Sequence, residues 1–333
     1  MDIVVDAFGG DNAPREIVGG SITAVNLNED INITLVGKES AIRNELEYFG
    51  YKGNKISIVN ADEVITGEDV PTSAIRTKTN SSLVVALELF KTDSKYDAFV
   101  SAGSTGAVLT GALLKIGRIK GVSRPALAPL MPNAQGTQTL LIDCGANVDS
   151  KPEFLVDFAV MGSIYMSNVL GVNKPRVALL NVGTEDHKGN QLTHEVFELL
   201  KSREDINFVG NMEARDALSG GVDVIVSDGF AGNVLLKSIE GTALFIINEL
   251  KQGVKSAGIK TKLGAVMMKK VFKNLKNKMD YKNVGGSVFL GVQKVVVKAH
   301  GSADARCFYS AILQAKKMVE SGVVDTIKSS LGE

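Results

Sequence analysis

Four glycine-bearing segments hold the residues best suited to chemistry. In SAGSTGA (101–107), Gly103 and Gly106 let the backbone approach an anion, and Ser104 and Thr105 add hydroxyl donors. The same spacing suits a plain helix N-cap at Ser104 or Thr105. NVGTEDHKGN (181–190) gathers Gly183, Thr184, His187, Lys188, Gly189 and Asn190 in one turn. Lys188 could neutralise a phosphate or stabilise an oxyanion, whereas His187 reads as a surface histidine. DGFAGNVLLK (228–237) opens a helix with Asn233 just inside it and Lys237 one turn on, near the same face. KAHGSADAR (298–306) sets His300 at a strand end before Gly301 and Ser302. An imidazole there could protonate a leaving group, although a lone histidine at a strand end is usually structural.

These segments need a scaffold, and the sequence supplies one. Short β-branched runs at 2–6, 32–36, 56–59, 98–101, 138–143, 176–181 and 223–227 read as buried parallel strands. Helical patterns lie between them at 105–116, 153–170, 191–201 and 231–250. The alternation predicts an α/β fold of three layers, α/β/α, around a mostly parallel sheet. Five strands end in a short polar residue followed by a glycine turn, at Asp6, Ser101, Asp143, Asn181 and Ser227. Ligands of open α/β sheets bind outside the carboxyl ends of the strands, so the five turns are expected to form a rim at one edge. Glycines that merely make tight turns would explain some of the five. The chain is expected to form one catalytic unit over 1–333, or two lobes. A protruding basic amphipathic helical segment is expected at 251–283, where ten lysines face one acid, Asp280. Strand-like VFLGV and VVVKAH follow, then a helix over 303–320.

Composition narrows the function classes. The 333 residues are 44% hydrophobic and 22% charged with zero formal net charge, so no global field points to nucleic acid. Trp is absent, which argues against stacking platforms. The two cysteines, Cys144 and Cys307, form no CxxC pair and suit a reduced, cytoplasmic setting. No run approaches the ~20 apolar residues of a membrane span, and the acidic start MDIVVDAFGGD is unlike a signal peptide. GxxxxGK[ST], GxSxG and HExxH are all missing, which disfavours P-loop, serine-elbow and zincin chemistry. No carboxylate cluster has ligand spacing, so no metal and no cofactor are expected.

Six segments, VDAFGGDNAP, SAGSTGA, IDCGANVD, the NVG…KGN turn, DGFAGNVLLKSIEG and GVQKVVVKAHGSADAR, run in order along almost the whole chain. In these the sequence resembles the phosphate acyltransferase of bacterial phospholipid synthesis (the PlsX family). The resemblance implies transfer of an acyl group from acyl carrier protein to inorganic phosphate. It also implies a fold like isocitrate and isopropylmalate dehydrogenases, a homodimer, and a cytoplasmic protein with peripheral membrane contact. On this reading Ser101, Gly103, Ser104 and Thr105 hold phosphate. Lys188, Asn233 and His300 carry catalysis, and Asp6, Asn12, Asn147, Asn190, Asp228 and Ser302 line the substrates. Leu263, Val266, Met267, Lys269 and Lys270 would meet the carrier protein, the membrane or a second subunit. The alternatives are a phosphate acetyltransferase-like enzyme using coenzyme A thioesters, and a non-catalytic acyl-binding or membrane-scaffold protein.

Overall fold

The apolar runs pair into an eleven-stranded sheet in a computed structural model that describes residues 1–273 and 285–332. The strands are β1 Asp2–Asp6, β2 Asn32–Gly37, β3 Ile56–Asn60, β4 Ala98–Ser101, β5 Ala126–Pro132, β6 Gln138–Ile142, β7 Arg176–Asn181, β8 Asn207–Glu213, β9 Val224–Val226, β10 Gly286–Leu290 and β11 Val295–Ala299. Their order across the sheet is β3-β2-β1-β4-β11-β10-β5-β6-β9-β7-β8. Side chains alternate between two cores. Ile3 and Val5 of β1 face one core, under the helices Arg15–Leu27, Pro152–Leu170 and Ala305–Glu320. Val4 faces the other, under Ser82–Thr92 and the helix that starts at Thr105. Both cores run across both halves of the sheet. Helices therefore cover both faces of a mostly parallel sheet. Each fully buried Leu, Ile or Phe contributes roughly 1.5–3 kcal/mol to this arrangement.

The expected rim at one edge is corrected by strand direction. β1, β2, β3, β4 and β11 run in parallel. Three antiparallel pairings follow, β11 with β10, β10 with β5 and β5 with β6. An odd number of reversals turns β6, β9, β7 and β8 against the first group. The carboxyl ends that bear Asp6 and Ser101 thus point opposite to those before Asp143, Ser227 and Asn181. Register still lets the two sets of turns meet. Asp143, just past β6, accepts a hydrogen bond from Leu127 N, and Leu127 pairs through Phe289 with Val296 in the middle of β11. Lys298, level with Ser101, is two residues from Val296, or roughly 7 Å along the strand.

Two strands escaped the sequence reading, β5 and β8. Pro129 in the first disguises it, because proline is rare inside a sheet. It is tolerated where β5 changes partner: residues 126–129 pair with β10 and 130–132 with β6. β8 is an edge strand with polar and glycine positions, NFVGNME.

The helix expected over 231–250 runs unbroken over Gly229–Ser256, 28 residues, or about 42 Å. Gly229, Gly232 and Leu235 in its first turns are buried, while Leu244, Phe245, Ile246 and Leu250 are exposed. The exposed apolar stretch therefore begins inside this helix, before residue 251. It continues through Ile259–Met267, where Leu263, Val266 and Met267 are exposed, and Lys269 and Lys270 follow in helical backbone. Residues 274–283 of the expected segment lie outside the described residues.

Candidate active site

A cleft of about 1330 Å³ opens between the two halves of the sheet. Four of the five expected turns supply its polar end: Gly10 and Asp11 after β1, Gly103 to Thr105 after β4, Gly145 after β6, and Gly229 with Asn233 after β9. His300 and Gly301 after β11 join them. Leu127, Met131, Leu218, Leu235, Ile239 and Ile246 make a long apolar wall. This volume exceeds the ~300–1,000 Å³ of ordinary small-molecule pockets.

Two buried carboxylates hold the turns. Asp6 is 1% exposed; Ser101 Oγ donates to its Oδ2 at 2.7 Å and Phe8 N donates to its Oδ1 at 3.2 Å. Gly103 N then donates to Ser101 Oγ at 3.0 Å. Ser101 is buried outside the cleft lining, with its hydroxyl committed to Asp6. It and Asp6 brace the Gly103 turn from beneath and lie outside the cleft lining. Gly9 is required by this packing, since a Cβ there would lie 2.6 Å from both Asp6 Oδ2 and Gly103 N. Burial pushes the Asp6 carboxyl above its ordinary value, against the pull of the Ser82 and Ser101 hydroxyls.

Asp143 plays the same part in the other half. It accepts from Leu127 N at 2.9 Å, Cys144 N at 2.7 Å and Asn147 N at 2.6 Å, and also from Ala146 N and Asn147 Nδ2. Burial again raises its pKa, and these donors oppose the rise. Asn147 is thereby held inside the turn, its Nδ2 also donating to Pro125 O at 2.8 Å. The neighbouring Cys144 thiol is pushed well above its ordinary value by burial first and the Asp143 charge second. It stays a thiol, unsuited to nucleophilic attack.

Above this frame stand the groups that face the cleft. Asp228, itself outside the lining, caps the long helix, accepting from Phe230 N and Ala231 N. Gly232 packs on the Asp143 carbonyl with no room for a Cβ. The backbone at Asn233 is therefore fixed, and its exposed amide faces the cleft across from Gly145. His300 Nδ1 lies 2.9 Å from Ser302 Oγ and accepts from Ser302 N at 3.2 Å. A neutral ring that accepts at Nδ1 carries its proton on Nε2. Lys298, also in the lining, is 8% exposed. Its pKa is drawn down to about 8 by burial first and by Lys237 second.

A family model described as fatty acid synthesis protein matches residues 1–326. A phosphate acyltransferase of Clostridium novyi (strain NT) is 48% identical over 331 residues, 99% of this chain and 98% of that protein. One from Bacillus subtilis (strain 168) is 46% identical over 333 residues, 100% of this chain and 98% of that protein. This chain belongs to the phosphate acyltransferase family. Among solved structures, a phosphotransacetylase from Streptococcus pyogenes matches with a TM-score of 0.63 and 17% identity, covering 96% of this chain and 94% of that one. EutD phosphotransacetylase from Staphylococcus aureus matches with 0.60 and 16%, at the same coverage. At such identity the likeness is one of fold.

For a phosphate acyltransferase, the placement of the remaining expected residues matters. Ser104 lines the cleft while its hydroxyl accepts from Ala107 N at 3.3 Å, so it is a helix cap facing the site. Thr105 lines the cleft beside it. Lys188 and Asn190 do not reach the lining. Asn190 instead forms a capping box with Thr193 at the start of Gln191–Lys201, and the Lys188 carbonyl accepts from Asn181 Nδ2. The β7 turn that bears them leaves on the far side of β9, beside β8. Asn12 ties the first turn to the last, its Nδ2 donating to Ala303 O at 3.1 Å. The sequence reading passed over Lys298. Its signal was a lysine inside an apolar strand, VVVKA, at the same parity as the core residue Val296.

Proposed function

We propose that the cleft transfers a fatty acyl group from acyl carrier protein to inorganic phosphate, giving acyl phosphate and free carrier protein for phosphatidic acid synthesis. The observation that supports this reading is the junction inside one cleft of a glycine-rich anion turn with a long apolar wall. The turn suits phosphate and the wall suits an acyl chain. A phosphate oxygen attacks the thioester carbonyl carbon, a C–O bond forms, and the carbonyl oxygen becomes an oxyanion. Collapse restores the carbonyl, breaks the C–S bond and releases a thiolate, which takes a proton. Gly103, Ser104 and Thr105 orient phosphate, the Asn233 amide donates to the oxyanion, and His300 Nε2–H hydrogen-bonds the departing sulfur, which takes the proton that hydrogen phosphate gives up on becoming the more acidic acyl phosphate. Holding the reactants in line and stabilising developing charge accounts for the rate without a protein nucleophile. Turnover of carrier-protein thioester over coenzyme A thioester tests the donor, and preference for coenzyme A would favour the phosphate acetyltransferase-like alternative.

The exposed apolar residues from Leu244 to Val271 form a surface of the kind that marks partner or membrane contact. We assign it to a homodimer that rests peripherally on the cytoplasmic membrane surface, with lysines such as Lys269 and Lys270 facing anionic lipid at about 1 kcal/mol each. Changing Val266 and Met267 together to Asp is expected to abolish flotation with anionic liposomes while turnover of a soluble acyl donor stays within twofold. Retained flotation would remove this helix as the anchor.

A further inference from the structure

Among the described residues, Lys298 is a buried cation with no ion-pair partner. It sits on β11 between Ser101 of β4 and Ser287 of β10. Val295, Val297 and Ala299 turn to the opposite core, which leaves Lys298 on the face of Val296, toward the cleft. The residue is only 8% exposed. Its Nζ donates to the Ala299 carbonyl at 2.8 Å and, among the described residues, has no carboxylate within ion-pair distance. An ammonium offers three donors, so this bond leaves two for a ligand. Buried charges in folded proteins are paired, because an unpaired one forfeits its hydration without return. The turn Gly103 to Thr105 and the His300–Gly301 corner border the same space.

We propose that Lys298 is a catalytic residue that binds the attacking phosphate and balances its charge. The proposal deepens the acyl-to-phosphate reading and rests on it. It assigns to Lys298 the cationic role that the sequence suggested for Lys188. The tetrahedral oxyanion could reach Lys298 from free phosphate or from a phosphate ester carried by the thioester donor; the proposal commits to free phosphate. Charge on Lys298 is also tunable. Lys237, itself paired with Glu240 on the long helix, opposes it, whereas Asp11 on the first turn and Cys307 on the last long helix favour it. A bound anion adds to the second group and restores the ammonium that burial disfavours.

The test compares wild type with Lys298→Met, Lys298→Gln and Lys298→Arg. Thermal unfolding is read with and without millimolar inorganic phosphate and with no acyl donor present. Phosphate is expected to raise the wild-type Tm and to leave the Met and Gln variants unmoved. Without phosphate the Met variant should unfold at or above the wild-type temperature, since a lone buried charge has been removed. In turnover, Met should raise the phosphate KM at least tenfold and change the acyl-donor KM less than twofold, with partial recovery in Arg. The wild-type phosphate KM should also climb above about pH 8, where the Lys298 charge is lost. Equal phosphate stabilisation in wild type and Met, none in wild type, or a rise in donor KM alone would each overturn the assignment. Phosphate stabilisation that depends on Lys298 in an enzyme making no acyl phosphate would instead sink the reaction and leave the anion site standing.

Discussion

Asp143→Ala is expected to destabilise the fold by on the order of 4 kcal/mol, read as a lower urea midpoint at unchanged m-value. The carboxylate has no solvent exposure, and four backbone N–H groups, of Leu127, Cys144, Ala146 and Asn147, donate to it. Alanine leaves all four without their acceptor, at about 1–3 kcal/mol for each that stays buried. Asn retains one oxygen and should lose roughly half as much. The effect is also local to function. Asp143 fixes the turn that faces Asn233, and its carbonyl is the surface on which Gly232 packs. An Asp143→Ala protein as stable as wild type would mean that water or a relaxed turn replaces the carboxylate.

Asn233→Ala is expected to lower kcat by about 10²–10³-fold, the usual loss for one oxyanion donor, with KM for the acyl donor changed less than threefold. No hydrogen bond of its side chain with another described residue competes for the amide. The Asp228 cap and the Gly232 contact fix the backbone that presents it. Asn233→Asp should fall at least as far, because a carboxylate donates nothing and repels the oxyanion. A split in which KM rises and kcat holds would assign Asn233 to ground-state binding and remove it from the oxyanion. Steady-state rates at saturating phosphate, with thermal unfolding as the control for folding, decide between these.

Much of the fold was legible because buried parallel strands write continuous β-branched runs, and β1, β4 and β7 begin and end where those runs do. Direction was not legible. Apolar alternation reports which face a residue takes and says nothing about the polarity of the neighbouring strand. The reversals at β10, β5 and β6 therefore went unseen, and so did the strand order that sets β7 on the far side of β9, away from the cleft. That is why Lys188 and Asn190, persuasive by type, fall outside the lining. Residue type likewise could not tell ligand from support. Ser101 has the right hydroxyl at the right strand end, but it donates to Asp6 and burial hides it. Lys298 was hidden for the opposite reason. A strand of valines draws attention to the core, while the one long cation among them lies on the cleft side.

The central claim is that phosphate is the attacking reactant, and trapping the product tests it most directly. Acyl carrier protein thioester, inorganic phosphate and the enzyme are incubated together, and acyl phosphate is captured as hydroxamate with hydroxylamine. Above the background that hydroxylamine alone draws from the thioester, the account predicts one hydroxamate per thiol released, both rising with phosphate and both falling to that background without it. Thiol release at the same rate in phosphate-free buffer, or with no trapped acyl phosphate, would contradict it.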